Sequence, residues 1–360
     1  MPSPLAGRCG AWPHDRSETL KDEKDRPPVR AKPTLKTIAG LTGLAVPTVS
    51  RALSGAQDIS ADTRARVRET ATRIGYVPNR AGVRLRTGRT NVISLVLSTE
   101  HDVMNHTARL MSSVAGALRG TPYHLILTPY FTGEDPMVPI RYIVETGSAD
   151  AVIFNQITPR DPRVAYLMER NFPFVTHGRS VWCDRHAWFD FDNEAFGRVA
   201  VEALAGRGRR NVLMIAPPRD QSYALAMIEG VEAAAARLGL TITVMDEASS
   251  DSPIAQVEAA VRARLAADPR IDAVFCGSTN SGMAAVAGAE LAGRRVGDTL
   301  DVFTKEAISF IRRIRPEVLA IYEDVGAAGT FMAEAAVRLL TDAEAPPMQS
   351  LDVPEAYHSA

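Results

Sequence analysis

The stretch TLKTIAGLTGLAVPTVSRALSGAQDISADTRARVRETATRIGY, residues 34–76, predicts three short helices joined by tight turns. Thr34 can cap the first helix, and Gly43 permits the sharp turn that follows it. Ser60 can cap the third helix. The packed side of the first helix is expected to consist of Leu35, Ile38, Ala39 and Leu41. The stretch therefore predicts a small all-α unit.

The second helix of this unit is predicted to run from about Val46 to Leu53, with its inward face made of Val49, Ala52 and Leu53. Pro47 is acceptable because it lies in the first turn, where its missing N–H had no partner. The side chains that point away from the packed face are Thr48, Ser50 and Arg51. A helix-turn-helix unit presents its second helix to a DNA groove in this way.

The charges of the chain are divided unevenly. Residues 33–90 contain ten Lys/Arg against three Asp/Glu, a formal charge of +7. Residues 91–360 contain 24 against 34, a charge of −10, and the first 32 residues contribute +2. A basic module joined to a larger acidic body indicates that a polyanion binds the module only.

From Asn91 onward, apolar runs alternate with amphipathic helical stretches, which include residues 193–205, 223–238 and 252–267. The runs that predict buried parallel strands are residues 91–97, 124–128, 150–154, 172–177, 211–216, 241–245 and 272–276. This βαβ alternation predicts doubly wound α/β layers with right-handed crossovers. The 270 residues from Asn91 suffice for two such lobes; one large α/β enzyme domain is the alternative.

Cysteine spacing and hydropathy limit the classes of protein. Cys9, Cys183 and Cys276 are far apart and lack CxxC or Cys/His spacing, so we expect no disulfide framework, no metal site and a reducing cytoplasm. No apolar run approaches the ~18 residues that a membrane span needs, and the N-terminus has no secretory signal. Residues 1–32 predict a disordered tail, unless part of it reflects an upstream start-codon assignment.

Two consecutive motifs, TLKTIAGLTGLAVPTVSRALSG (residues 34–55) and IGYVPNRAGVRLRTGRTNVISLVL (residues 74–97), closely resemble the N-terminus of LacI-type (lactose-repressor-like) bacterial transcription regulators. The resemblance continues through FDNEAFGRVAVEALAGRGRRNVLMIA, DAVFCGSTNSGMAAVAG and RPEVLAIYEDVGAAG. It implies an α/β protein with an all-α helix-turn-helix headpiece and a two-lobed core of doubly wound parallel sheets, like periplasmic sugar-binding proteins. The homodimer is the expected assembly, with a tetramer left open.

The resemblance also implies a division of the chain. The headpiece is expected at residues 33–78, a hinge helix at 79–90 and the effector-binding and dimerisation core at 91–360. Within the core, the first lobe is expected at about residues 91–190 plus 325–340, and the second lobe at about 191–320.

The family's DNA contacts can be carried onto matching positions. Val46, Pro47 and Arg51 match the base readers, and Arg51 could donate to guanine or to phosphate. Val46 and Pro47 carry no side-chain donor, so we expect contact with a thymine methyl group or a fit to DNA shape, with plain packing as the alternative. The expected DNA-contacting residues are Thr34, Val46, Pro47, Thr48, Ser50, Arg51, Asn79, Arg80, Leu85 and Arg86.

In the hinge, Asn79 and Arg80 would begin the helix and Leu85 matches the family's minor-groove wedge. Paired leucines of this kind unstack and kink the duplex; packing within the linker is the alternative for Leu85. Gly82 stands where the family often has alanine, at a cost of ~1 kcal/mol of helix propensity. We therefore expect a hinge that folds only on the operator.

Two-lobed binding proteins hold their ligands in the cleft, at the carboxyl ends of strands. The expected effector-binding residues are Ser98, His177, Arg179, Asp192, Tyr223, Ser278 and Glu306. Trp182 or Trp188 could serve as an aromatic platform for a sugar. For each of the polar residues just named, the alternative is an ordinary role in a loop or as a helix cap. The chain departs from the family pattern at Met227, at Ser278-Thr279 and at Thr304-Lys305-Glu306.

We therefore predict a repressor of a carbohydrate-utilisation operon that binds a pseudo-palindromic operator and responds to a small sugar-like effector. A non-sugar ligand such as a purine, or architectural DNA binding without a ligand, is the alternative. An enzyme is not expected, because no GxGxxG follows a strand and neither a Walker lysine nor a GxSxG elbow occurs. GSTNSG, residues 277–282, predicts a loop. No catalytic residue or cofactor is expected, and the location is cytoplasmic, on nucleoid DNA.

Overall fold

A computed structural model describes residues 32–77, 82, 84, 88–98, 106–131, 133–307, 309–342, 344–354 and 357. The chain divides into two compact units between residues 83 and 84. The predicted N-terminal tail, apart from Lys32, lies outside the described residues.

The first unit contains three helices, whose bounds are Leu35–Thr42 (α1), Val46–Leu53 (α2) and Ala61–Arg73 (α3). A reciprocal capping box begins α1: the Thr34 hydroxyl accepts from the Thr37 amide, and the Thr37 hydroxyl accepts from the Thr34 amide. Ser60 caps α3 by accepting from the Thr63 amide. The buried core of the unit consists of Ile38, Val49, Ala52, Val67 and Ala71.

One prediction for α1 is wrong. Leu41 is 55% exposed and does not belong to the packed side. The helix ends one residue later at Thr42, and Gly43 adopts a left-handed conformation at φ 70°. Leu41 therefore lies at the edge of the apolar face, where the chain turns away from the core.

The second unit contains two parallel sheets. The strands of the first sheet are Val92–Ser98 (β1), His124–Tyr130 (β2), Ala151–Phe154 (β3), Phe174–His177 (β4), Ala187–Phe191 (β5) and Gln349–Asp352 (β11). Their spatial order is β11-β5-β4-β3-β1-β2. The strands of the second sheet are Asn211–Ile215 (β6), Thr241–Val244 (β7), Ala273–Cys276 (β8), Asp301–Glu306 (β9) and Leu319–Tyr322 (β10), in the order β10-β9-β8-β6-β7. Each sheet with its helices is called the first or the second lobe below.

Helices cover the faces of both sheets, as the βαβ alternation predicts. Those of the first lobe are Ala108–Ala117 (α4), Met137–Thr146 (α5), Pro162–Glu169 (α6) and Val325–Thr341 (α12). Those of the second lobe are Asn193–Gly206 (α7), Ser222–Leu238 (α8), Ile254–Ala267 (α9), Thr279–Leu291 (α10) and Ile311–Ile314 (α11). Phe275 and Phe303 are fully buried in the second-lobe core, and Leu95 and Ile153 are fully buried in the first-lobe core.

The prediction that GSTNSG, residues 277–282, forms a loop is wrong for most of the segment. Its first residues follow β8, but α10 begins at Thr279. The Ser278 hydroxyl accepts from the Ser281 amide, and the Ser281 hydroxyl accepts from the Ser278 amide, so the segment caps a helix. Capping hydroxyls at this spacing satisfy amides that the first helical turn would leave unpaired.

The chain crosses between the lobes after β5, after β10 and after β11. The last crossing brings Tyr357 onto the second-lobe core, where its ring lies 5.5 Å from the ring of Phe303. All strand pairs of both described sheets are parallel. The carboxyl ends of the strands therefore border a cleft between the lobes, which is where an open α/β protein holds a ligand.

Two glycines let α7 and α8 pack unusually closely. A Cβ atom on Gly230 would lie 2.0 Å from the carbonyl oxygen of Glu194, and one on Gly197 would lie 2.5 Å from that of Met227. Gly230→Ala is therefore expected to lower the free energy of unfolding by about 3 kcal/mol, the upper part of the overpacking range. Urea denaturation of the full chain measures this change.

Gly206→Ala is the matched control for this prediction. Gly206 is the last residue of α7, and a Cβ atom there would meet nothing within 4 Å. Alanine is favoured over glycine in a helix by up to ~1 kcal/mol, so this variant should be neutral or slightly stabilised. Equal stability of the two variants would show that the helices do not need the close approach.

Candidate functional site

The exposed side of α2 is the candidate DNA-binding surface. Ala45 precedes the helix and supplies no side-chain cap. Pro47 and Arg51 are exposed, whereas Val46 is half-buried. The Arg51 guanidinium forms an ion pair with Asp58, and both side chains are accessible to solvent. The helix therefore presents an apolar N-terminal edge and one cation in its last turn.

The structure describes three of the other predicted DNA-contacting residues. Thr48 and Ser50 are half-buried on α2, and Thr34 is exposed at the start of α1. Asn79, Arg80, Leu85 and Arg86 lie outside the described residues.

A cavity of about 330 Å³ lies between the two lobes of the second unit. Its wall contains hydroxyl, carboxamide and carboxylate groups from both lobes: Ser98, Asn155, Gln156, Asp190, Asn193, Ser250, Asp251, Ser278, Thr279, Asn280 and Glu323. Apolar contact is provided by Phe191, Tyr223, Pro253 and Ile254. This volume and this mixture are typical of a small-molecule binding site.

Four of the predicted effector residues line this cavity: Ser98, His177, Tyr223 and Ser278. They come from the ends of β1 and β4 and from the starts of α8 and α10. The parallel topology brings them together because each follows or precedes the carboxyl end of a strand.

The structure places the other three predicted effector residues outside the cavity wall. Asp192 caps α7 by accepting from the Ala195 amide at 2.9 Å. Glu306 is fully buried, and its Oε1 accepts from Arg312 Nε at 2.7 Å. Arg179 donates from Nε to Asp190 Oδ2 at 2.7 Å, so it reaches the cavity only through a lining carboxylate. In each case a nearby protein group holds the side chain, although Glu306 Oε2 is buried without a hydrogen-bond partner among the described residues.

Neither predicted tryptophan platform lines the cavity. Trp188 donates its indole N–H to the carbonyl of Cys183 at 2.8 Å. Trp182 packs against the first-lobe core that contains Phe174. Met227, at the position where many family members have arginine, is fully buried between α7, α8 and the second sheet.

A charged cluster forms one wall of the cavity, and Lys305 is its cation. Lys305 Nζ donates to Asn193 Oδ1 at 2.7 Å and lies 3.1 Å from Glu323 Oε2. The same ammonium lies 4.4 Å from the ring centroid of Phe191 and 5.2 Å from that of Phe196. Lys305 is the only lysine after Lys36 in the sequence. This isolation, together with the departure from the family pattern at Thr304-Lys305-Glu306, is the sequence signal that could have marked its role.

Two histidines adjoin this cluster. The rings of His106 and His177 are stacked, with centroids 5.4 Å apart and planes 11° apart. Their Nε2 atoms each lie 3.9 Å from Glu323 Oε1. Burial, reinforced by His106, lowers the pKa of His177 to about 4. His177 is therefore neutral at pH 7.

The carboxylates of the wall differ in their protonation behaviour. Burial alone would raise the pKa of Glu323, but Lys305 and then His106 outweigh burial, so the pKa is lowered. For Asp190, burial dominates over the neighbouring Arg179 and raises the pKa to about 6. Both carboxylates are mainly ionised at pH 7, and only Asp190 becomes protonated in mildly acidic solution.

A buried arginine holds the turn that carries Asn155 and Gln156 into the cavity. Arg163 is 3% exposed and paired with Asp161. Its Nη2 donates to the carbonyls of Gln156 at 2.7 Å and of Asn155 at 3.2 Å. Gln156 adopts φ 55°, which is uncommon for a residue with a side chain. Arg163 therefore fixes the position of two amide side chains that line the site.

The side-chain oxygen of Asn155 is left unsatisfied. Asn155 Oδ1 is buried and has no hydrogen-bond partner among the described residues. A buried acceptor without a donor is unfavourable by roughly 1–3 kcal/mol. A ligand hydroxyl in the cavity would supply the missing donor.

Known proteins resemble the chain along both units. Residues 34–79 match the family model for bacterial regulatory proteins of the lacI family, and residues 92–328 match the model for periplasmic binding proteins and the sugar binding domain of the LacI family. The HTH-type transcriptional regulator AglR of Rhizobium meliloti (strain 1021) is 30% identical over 295 residues, covering 80% of this chain and 81% of AglR.

Solved structures agree with these matches. A complex of the transcriptional regulator CelR with cellobiose is 25% identical, with a TM-score of 0.66, and the match covers 91% of this chain and 99% of that one. The lac repressor dimer bound to operator and the anti-inducer ONPF has the same fold, with 17% identity, a TM-score of 0.76 and coverage of 90% and 97%. No helix of the described residues is long and apolar enough to cross a membrane. The predicted family and fold class are confirmed, and the chain belongs to the LacI family of bacterial transcription regulators, which are not enzymes.

Proposed function

We propose that this chain represses a carbohydrate-utilisation operon and that an uncharged sugar of about disaccharide size controls it from the cavity between the lobes. A homodimer binds a pseudo-palindromic operator through α2 and the segment at residues 79–90, on nucleoid DNA in the cytoplasm. The observation that carries the proposal is the polar wall of the cavity. A ligand shifts the regulator only by its differential affinity for the two lobe arrangements.

The wall suits a polyhydroxylated ligand. The carboxamides of Asn155, Gln156 and Asn280 and the hydroxyl of Ser98 line the cavity, and groups of these types can both donate to and accept from sugar hydroxyls. Gln156 Oε1 already accepts from the Tyr130 hydroxyl at 3.1 Å. Asn155 Oδ1 needs a donor. The cellobiose complex of CelR, which is 25% identical to this chain, supports a sugar as the ligand class.

The charges of the wall favour a neutral sugar over a phosphorylated one. Asp190, Asp251 and Glu323 are carboxylates, and Lys305 is the lining ammonium. Two of the three donors of that ammonium are already held by Asn193 and Glu323, and the carboxylates of the wall outnumber it. A purine would stack on aromatic faces, and Lys305 covers the Phe191 ring at 4.4 Å, which leaves Tyr223 among the lining aromatic residues. Neutral hydroxyls therefore fit this wall best.

Titration calorimetry with cellobiose, maltose and sucrose is the test, in parallel with glucose 6-phosphate and adenine. At least one neutral disaccharide is expected to bind, with glucose 6-phosphate about 100-fold weaker because like charges would meet. Binding of the phosphate or of adenine, with no binding of a neutral sugar, would contradict the proposal.

Asn155→Leu tests the role of the unsatisfied oxygen. This variant should weaken binding of the best sugar by about tenfold, the loss of one hydrogen bond of ~1.4 kcal/mol. Gln256→Leu is the control, since Gln256 is exposed and bonded to the Glu247 carbonyl outside the cavity wall. Equal sugar affinity in the two variants would remove Asn155 from the site.

A further inference from the structure

Two imidazoles and one carboxylate converge in the cavity wall. His106 Nε2 and His177 Nε2 each lie 3.9 Å from the same oxygen, Glu323 Oε1. Each of the three residues offers one possible ligand atom, and these atoms lie within 4.8 Å of one another.

We propose that His106, His177 and Glu323 bind a divalent transition-metal ion, with Zn²⁺ the best match. Zinc–nitrogen and zinc–oxygen bonds of about 2.0–2.2 Å place the ligands of a tetrahedral ion roughly 3.3–3.5 Å apart. The 3.9 Å separations exceed this by about half an ångström, and the two nearly parallel rings would have to rotate for both nitrogen lone pairs to meet one ion. Two histidines and one glutamate form an established donor set for zinc with an open fourth position.

The choice of metal follows from the donors. Imidazole nitrogen suits zinc, copper, nickel and iron, whereas calcium and magnesium prefer sites made of oxygen alone. The fourth position faces the cavity, because all three residues line it. A water molecule or a hydroxyl of the bound sugar would occupy that position.

Lys305 sets a limit on the affinity of this site. Its ammonium lies 3.1 Å from Glu323 Oε2, the carboxylate oxygen that does not face the histidines. Glu323 would thus bridge a lysine on one oxygen and a metal on the other. Repulsion between the two cations lowers the affinity, so we expect tight but reversible binding rather than a permanent structural ion.

The ligands come from different parts of the cleft. His177 ends β4 of the first lobe and His106 precedes α4, whereas Glu323 directly follows β10 of the second lobe. A metal bound to all three would join the lobes and favour one of their arrangements. The influence of the metal on DNA binding rests on the proposed function, whereas the binding of the metal to the protein does not.

Zinc titration of the full-length protein, stripped with EDTA and dialysed, is the test. Calorimetry should show a site of micromolar or tighter Kd per protomer, and Co²⁺ in its place should give the visible absorption of a tetrahedral cobalt complex. His106→Ala and His177→Ala should each weaken this site by about 100-fold or more, beyond the effect of losing an outer-sphere partner. The control is His124→Ala, at an exposed position that begins β2.

Three outcomes separate the possibilities. If zinc affinity and the cobalt spectrum are unchanged in folded His106→Ala and His177→Ala proteins, the site is wrong. Should either alanine variant misfold, the corresponding glutamine variant, His106→Gln or His177→Gln, must also abolish the cobalt spectrum. Sugar titrations are run in EDTA, so loss of the metal site alone leaves the proposed function standing, and zinc binding without sugar binding overturns the proposed function alone.

Discussion

Replacing Arg51 by alanine is expected to weaken operator binding by roughly 100-fold. Arg51 is the cation of α2, is exposed, and follows the apolar edge at Val46 and Pro47. A bidentate arginine contact contributes about 1–3 kcal/mol of base discrimination, and a homodimer would lose one contact in each half-site. Fluorescence anisotropy with the upstream region of the chain's own operon, at fixed salt, measures the change.

Asp58→Asn is the matched control for Arg51→Ala. Asp58 pairs with Arg51 in the absence of DNA, and both side chains are about half exposed. Such a surface pair contributes little to stability, so the Asn variant should fold normally and leave Arg51 free for DNA. Its operator affinity should equal or exceed that of the unmodified protein. Undiminished binding by Arg51→Ala would contradict the assignment of α2 as the reading helix.

The headpiece was predictable because its signals are local. Thr34 and Ser60 lie at the starts of helices, and Gly43 lies at a turn that needs positive φ. Leu41 shows the limit of periodicity, because apolar spacing alone does not show where the buried face ends. Its 55% exposure follows from the turn at Gly43, which a sequence pattern does not position in space.

The core was less predictable where strands carry charged residues. β9 is buried along its whole length although it contains Asp301, Lys305 and Glu306. These charges are paired with residues outside the strand, from 6 to 94 positions away along the chain: Arg207 and Arg209 for Asp301, Glu323 for Lys305, and Arg312 for Glu306. Single-sequence patterns cannot show such pairing, so β9 was not predicted as a strand.

The site was predictable to the extent that topology determines it. Ser98 and His177 are strand-end residues, and parallel strands gather their carboxyl ends at one edge. Asp192 also follows a strand, but a competing local role as a helix cap occupies its carboxylate. His106 and Glu323 were missed because their relation to His177 exists only after both lobes have folded.

Lys305→Met is expected to lower the free energy of unfolding by about 3–5 kcal/mol, the usual effect of removing one partner of a buried ion pair. The Lys305 and Glu323 side chains are only 10% and 9% exposed. Methionine fills a similar volume but leaves the Glu323 carboxylate without its ammonium and Asn193 Oδ1 without its donor. Urea denaturation in EDTA, without sugar, measures the loss.

The double variant Lys305→Met/Glu323→Leu distinguishes the ion pair from packing. If an uncompensated carboxylate causes the loss, removing that carboxylate should recover most of the stability, since apolar replacements of buried pairs are often neutral. If packing around Lys305 causes it, the double variant should be at least as unstable as the single one. Arg219→Met is the surface control: its pair with Asp246 is exposed, so a change within about 0.5 kcal/mol is expected.

The histidines provide a readout that does not depend on stability. Lys305 is one of the charges that lower the pKa of His177, after burial and His106, whereas Glu323 raises it. Removing the ammonium while keeping the carboxylate should therefore raise the pKa of His177 above its value of about 4. Adding Glu323→Leu should reverse part of that rise, because the attracting carboxylate is gone. Histidine NMR titration of the two variants thus tests whether Lys305, Glu323 and His177 act as one electrostatic unit. If the pKa of His177 is the same in the unmodified protein, the single variant and the double variant, they do not.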